Sequence, residues 1–163
     1  MDYIIRELEA KDDKKIEAVI RACLIEYGAN HDGTAWADPH LGEFSTIYTD
    51  PKNKYWVIET TDGRIVGGSG IGEIAGSGDI CELQKMYCLP EIRGTGAAHK
   101  LITIALDYAK QFYKKCYLET FSNMIPAHKF YKKHGFVLTD DRLGDTGHFA
   151  CDVLFIKDLT DQQ

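Results

Sequence analysis

The 163-residue chain lacks the features that would mark several classes of protein. No apolar run approaches the roughly 20 residues that a membrane-crossing helix needs, so no membrane partner is expected. The first residues, Met1-Asp2-Tyr3-Ile4-Ile5-Arg6, are strand-like and lack the basic region and long apolar core of a signal peptide. A cytoplasmic location is therefore the expectation. The five cysteines (Cys23, Cys81, Cys88, Cys116, Cys151) are odd in number and scattered, with no Cys-x-x-Cys pair. That fits reduced thiols better than a disulfide framework or a zinc site. A net charge of −6 argues against nucleic acid as a generic partner. With no repeat, low-complexity tract or linker, one domain over residues 1–163 is expected, long enough to bury roughly two thirds of its unfolded surface.

What is present is an ordered alternation of patterns. Tyr3 to Leu8 predicts a strand. Asp12 and Asp13 are positioned to cap a helix with the stripe Ile16, Val19/Ile20, Cys23/Leu24 and Tyr27. Gly28 to Gly42 is a polar loop carrying Trp36, followed by a short helical stretch from Phe44 to Tyr48. Lys54–Thr60 and Arg64–Glu73 form a hairpin pattern around Thr61-Asp62-Gly63, and Ile80–Leu89 is a further strand. The period then changes: Gly96 to Phe112 predicts a helix with one buried face, and Lys115–Thr120 a short strand. Asn123 is placed to cap a helix with the stripe Ala127, Phe130/Tyr131 and His134, closed by Gly135. Phe136–Leu138 and Phe149–Lys157 are the last strands, either side of a polar loop. The class is α/β, with Ile80–Leu89 and Lys115–Thr120 parallel because a helix joins them.

The most informative stretch is Arg93-Gly94-Thr95-Gly96-Ala97-Ala98, a turn with two glycines between a strand and a helix. Such a turn leaves bare N–H groups at the positive end of the helix, a cradle for phosphate. A basic segment starts there: Arg93 to His134 holds eight Lys/Arg against two Asp/Glu. The string is not a Walker loop, which requires G-x-x-x-x-G-K-[ST]. It also lacks the third glycine of the dinucleotide fingerprint, with His99 in that place.

The run from Glu82 to Ala98 resembles the central motif of the GNAT superfamily of acetyl-CoA-dependent N-acetyltransferases, whose core is [Q/R]-x-x-G-x-[G/A]. The block Ala127-x-x-Phe130-Tyr131-x-x-x-Gly135-Phe136 is similar to that family's second motif, and the resemblance covers roughly Tyr3 to Leu159. It implies a mixed sheet of six to seven strands with a splayed parallel pair, and about four helices. It implies acetyl-CoA as cosubstrate, its pyrophosphate on the backbone of Arg93, Gly94, Thr95, Gly96, Ala97, Ala98 and His99. The pantetheine arm would pair with Met86, Tyr87 and Cys88, while Ala127, Tyr131 and Asn123 belong to the second motif's side of the cleft. Many members carry Asn seven residues before the tyrosine; here that place is Met124, and Asn123 stands one residue earlier. No metal is implied, since fixed dipoles and basic side chains balance the charge.

The resemblance makes Tyr131 the proton donor to the departing thiolate, with Glu82 and Glu119 competing as the base. Strand alternation from Glu82 to Cys88 places Glu82 on the same side as Met86 and Cys88. Acceptor specificity would come from Gly28–Gly42, with His31, Asp32, Trp36 and Asp38, and from Thr139–His148, with Asp140, Asp141, Arg142 and Asp145. His148 is expected only to close a turn, and Cys88 to be a buried thiol. The activity implied is transfer of an acetyl group to a primary amine of a small molecule, by direct attack in a ternary complex. Protein N-terminal or lysine acetylation, and non-catalytic acyl-CoA sensing, remain the alternatives. The final hairpin supplies an edge of the kind through which such folds form homodimers.

Overall fold

A computed structural model describes residues 1–160, and in it the patterned runs assemble into one seven-stranded mixed sheet ordered β1-β2-β3-β4-β5-β7-β6. The strands are β1 (Tyr3–Glu7), β2 (Lys54–Thr60), β3 (Ile65–Glu73), β4 (Ile80–Cys88), β5 (Lys115–Thr120), β6 (Val137–Thr139) and β7 (Val153–Asp158). The helices are α1 (Asp13–Glu26), the single turn α2 (Phe44–Ile47), α3 (Ala97–Ala109) and α4 (Ile125–Lys133). The first four strands form an antiparallel meander, and β5, β7 and β6 continue antiparallel. Only β4 and β5 run parallel. Among the described residues no helix is long and apolar enough to cross a membrane.

Each face of the sheet is covered by a helix whose stripe was legible in the sequence. From α1, Ile16, Val19, Ile20, Cys23 and Leu24 pack with Phe44, Tyr55 and Val57. From α3, Leu101, Ile102, Ala105 and Ala109 pack with Ile58, Ile71 and Phe155 on the other face. A fully buried Leu or Ile contributes about 1.5–3 kcal/mol, so these stripes outweigh the modest helix propensity of Ile and Val. Close approach explains the glycines of β3. A Cβ on Gly68 or Gly70 would lie 2.6 Å from the ring of Tyr55, which lies across the strand.

Several boundaries differ from the sequence reading. Neither Asp12 nor Asp13 caps α1. The Asp12 carboxylate accepts two bonds from Arg6, at 2.7 and 2.9 Å, and one from Glu9 N–H. Asp13 accepts from the amide and hydroxyl of Ser45. Helix α3 ends at Ala109, short of Phe112. Helix α4 begins beyond Asn123 at Ile125, with Met124 at the N-cap position, Pro126 in the first turn and no side-chain cap. The last strand starts at Val153, because Phe149 and Ala150 turn back onto the early loop.

Candidate active site

The site begins with a fault in β4. Lys85 has φ +50°, the only non-glycine residue with positive φ among those described, and the β3–β4 register slips between Gly68 and Gly70. Such a bulge re-aims the strand and stores about 1–3 kcal/mol of strain. The Lys85 carbonyl accepts from Tyr55 Oη at 2.7 Å, and its ammonium lies 2.6 Å from Asp38. Parallel pairing with β5 covers only Ile80, Cys81 and Glu82; beyond them β5 pairs with β7 alone. A gap opens between the strands, and the backbone of Met86–Cys88 lies along it.

The bulge also overturns the alternation expected across β4. Glu82 and Gln84 face the side of Gly70, Gly72 and Tyr48, whereas Cys88 faces Gly67 and Ile58. Period-two alternation fails where an extra residue is inserted. Glu82 and Cys88 therefore lie on opposite sides of the sheet.

Two spaces meet in the gap. A mainly apolar cleft of about 560 Å³ is lined by Met86, Tyr87, Cys88, Arg93, Gly94, Gly96, Ala98, His99, Ala127 and Tyr131, all named from the sequence. Cys23, Tyr27, Met124, Pro126 and Phe130 also line it. Phe130 and Met124 stood in the second motif and at the place of the family's Asn, whereas Cys23, Tyr27 and Pro126 looked like ordinary core and loop residues. Thr95, Ala97 and Asn123 stand outside this lining. The Thr95 hydroxyl closes the turn, donating to Ile92 O and accepting from Ala97 N–H. Ala97 is wholly buried in the core, and Asn123 reaches Tyr27 O at 3.4 Å.

The glycine turn has the form a phosphate cradle needs. Gly94 and Gly96 have φ of +78° and +88°, and a Cβ on either would meet nothing within 4 Å. Their missing side chains leave open space in front of the first N–H groups of α3, which have no intrahelical partner. The Arg93 side chain is committed elsewhere. It makes a double bond pair with Glu26 at 2.7 and 2.8 Å, and donates to Cys88 O, tying the turn to α1. The residue still lines the cleft, but its amide donates to Pro90 O at 3.2 Å.

The second space is smaller and polar, about 50 Å³ around Glu82, Gln84, Glu119 and His148, and continues outward into about 210 Å³ bordered by Glu73 and Asp145. Tyr131, Tyr87, Met86 and Met124 line both this space and the large cleft. Tyr131 is 9% exposed, and its hydroxyl makes no hydrogen bond among the described residues. Burial, with Cys88 and Tyr27 nearby, pushes the phenol well above its ordinary value, so it stays protonated.

The two glutamates are in different states. Glu82 is 8% exposed, and one oxygen accepts from Gln84 Nε2 at 2.9 Å, while Gln84 Oε1 accepts from Tyr48 at 2.6 Å. Burial raises Glu82 above the ordinary carboxylate value, against the pull of Gln84 and Lys85. Its second oxygen has no partner among the described residues. Glu119 is saturated: it accepts from Tyr117 at 2.7 Å, Arg142 at 2.9 Å and Thr146 at 2.6 Å. A carboxylate so engaged fastens the loop that carries Arg142 and Thr146. Cys88 is held protonated, its thiol pushed up to about 12 by burial.

His148 does more than close a turn. Its Nε2 lies 2.9 Å from both oxygens of Asp38, the residue that also holds Lys85. Ala150 N–H donates to Gly33 O, and the Phe149 ring covers Gly33. The early loop (28–42) and the late loop (139–150) are thus fastened to one another over the polar space. Trp36 of the early loop lies half-buried beneath Arg21, 4.6 Å from the guanidinium.

A strand pair splayed over a glycine cradle, with a tyrosine between two spaces, defines an acyl-transfer class of site. The family model for the GNAT acetyltransferase family matches residues 16–136. The uncharacterized N-acetyltransferase YjgM of Escherichia coli K12 is 44% identical over 159 residues, covering 96% of this chain and 95% of its own. The chain belongs to the GNAT family and is an acyltransferase. Its fold matches a GNAT acetyltransferase from Staphylococcus aureus Mu50 with TM-score 0.83 at 20% identity, covering 97% of this chain and 99% of the other. A PaiA N-acetyltransferase from Thermoplasma acidophilum, solved with coenzyme A, aligns with TM-score 0.72 at 19% identity over 97% and 99% of the two chains.

Proposed function

We propose that the protein transfers an acetyl group from acetyl-CoA to the primary amine of a small molecule, both bound together. The observation that carries this reading is the position of Tyr131, a neutral phenol at the junction of the large cleft and the polar space. Acetyl-CoA suits the cleft: open glycines face a helix N-terminus at one end, and the splayed backbone of Met86–Cys88 runs along it. Acetyl-CoA supplies an activated thioester. Tyr131 is the proton donor to the sulfur as the thiolate leaves, and Glu82 the base facing the amine. Holding both reactants in one geometry replaces a bimolecular encounter, an advantage of about 7–11 kcal/mol in well-aligned cases. The polar space, about 50 and 210 Å³ in its two parts, favours a compact acceptor over a folded protein surface. Glu73 and Asp145 at its border suit an acceptor that arrives as an ammonium ion.

The test is an acceptor screen with acetyl-CoA, reading free thiol and acetylated product together. Stoichiometric thiol and N-acetyl product from a compact amine supports the reading. Tight coenzyme binding without turnover of any amine would instead identify a sensor.

A further inference from the structure

Amine acetylation has a proton problem that one base does not solve. The acceptor enters as R–NH₃⁺ and leaves as an amide, so its nitrogen gives up two protons. One ends on the coenzyme sulfur; the other must reach solvent. We propose that His148, oriented by Asp38, takes the first proton from the acceptor ammonium and delivers it to solvent, while Glu82 handles the second. This assignment rests on the acetyl-transfer reading above.

The geometry carries it. Asp38 only accepts hydrogen bonds, so the imidazole nitrogen facing it, Nε2, carries the proton at 2.9 Å. In the neutral ring that leaves Nδ1 as the free base, and Nδ1 has no partner among the described residues. The His148 side chain is 13% exposed and lines both parts of the polar space, the inner one with Glu82 and Tyr131, the outer one towards solvent. Its ring is held at one nitrogen, and its backbone is held through Thr146. Asp38 fixes Nε2, Thr146 Oγ1 accepts from the His148 amide at 3.2 Å, and Glu119 accepts from the Thr146 hydroxyl. The charged groups around the ring are Asp38 from the early loop, Glu73 from β3, Lys85 and Glu82 from β4, Glu119 from β5, and Arg142 and Asp145 from its own loop.

The step balances. His148 Nδ1 takes one proton from R–NH₃⁺, and the freed lone pair attacks the carbonyl carbon. The C–N bond forms, the C–S bond breaks, and its electron pair goes to sulfur, which takes the Tyr131 proton. Glu82 accepts the second nitrogen proton and returns it to the Tyr131 oxygen. The products are amide, thiol and one proton, released from His148.

The test compares two compact primary amines with acetyl-CoA: an alkylamine protonated up to about pH 10, as a lysine is, and a fluorinated alkylamine already neutral at pH 7.5. His148→Gln is expected to lose about 10²-fold in kcat/KM on the alkylamine, yet stay within about threefold of wild type on the fluorinated amine. Glu82→Gln is expected to lose on both. Asp38→Asn, which keeps the imidazole but not its orientation, is expected to follow His148→Gln in the same direction. Calorimetry with coenzyme A confirms that each variant is folded. Equal losses on both amines for His148→Gln, or no loss on either, would overturn the assignment to His148. The pair is drawn from the compact primary amines that the acceptor screen shows to be turned over. A wild-type chain that turns over no amine in that screen would overturn the acetyl-transfer reading, and this assignment with it.

Discussion

At the scale of single residues, the site separates groups by what already binds them. Glu119 faces the polar space but accepts three hydrogen bonds, so its lone pairs are committed to the loop. Glu82 keeps one oxygen free and is raised by burial. A base with a raised value is in its working, deprotonated form only above that value. The acid limb of kcat/KM assigned to Glu82 should therefore lie above the ordinary carboxylate value of 4.5 and vanish in Glu82→Gln, as a pH–rate profile would read. Cys88 is a protonated thiol facing away from Glu82, so Cys88→Ala should keep wild-type turnover and an intersecting initial-velocity pattern; parallel lines that depend on Cys88 would revive a covalent route. Neither distinction was visible in sequence. A lysine gives no sign that it will adopt φ +50°, and without that bulge the alternation of β4 puts Glu82 and Cys88 on one side. The partnership of His148 with Asp38 spans 110 residues and has no local signature.

Elements tell a more legible story. Strand and helix order followed from periodicity, because the buried stripes of α1 and α3 repeat at helical spacing over three or more turns. Ends were less legible, since caps are decided by partners elsewhere: Asp12 turns to Arg6 and Asp13 to Ser45. The Asp12 carboxylate is 1% exposed and fastens β1 to the start of α1. Asp12→Ala leaves Arg6 its pair with Glu59 but removes its two bonds to Asp12 and the partner of the Glu9 amide, and should cost about 1–3 kcal/mol in urea unfolding. Burial disfavours the Asp12 charge, but Arg6 and the Glu9 amide outweigh it and hold the carboxyl below its ordinary 3.8. With a folded-state value below the unfolded one, the stabilisation is complete at neutral pH and is lost as pH falls below 3.8. The glycine turn invites a contrasting test. Gly94→Ala adds a Cβ in open space at φ +78°, for a strain of about 1–2 kcal/mol. Coenzyme A affinity is predicted to fall by about tenfold or more while unfolding stability falls only by about that strain, since a methyl on the open face of the turn would crowd an approaching phosphate.

At the scale of the whole molecule, one sheet defect lies between the cleft and the polar space. The β4 bulge ends the parallel pairing after Glu82, and the gap it leaves is the cleft on one side and the polar space on the other. Lys85, the bulged residue, holds Asp38, and Asp38 holds His148, so the defect, the early loop and the late loop are one connected unit. Tyr131 sits where the spaces meet. The most direct measurement is amine-dependent thiol release from acetyl-CoA by wild type and Tyr131→Phe, side by side with coenzyme A binding by calorimetry. The expected result is unchanged coenzyme affinity with kcat lower by about 10²-fold in the variant. Equal turnover by Tyr131→Phe across pH, or thiol release that needs no amine, would contradict the account.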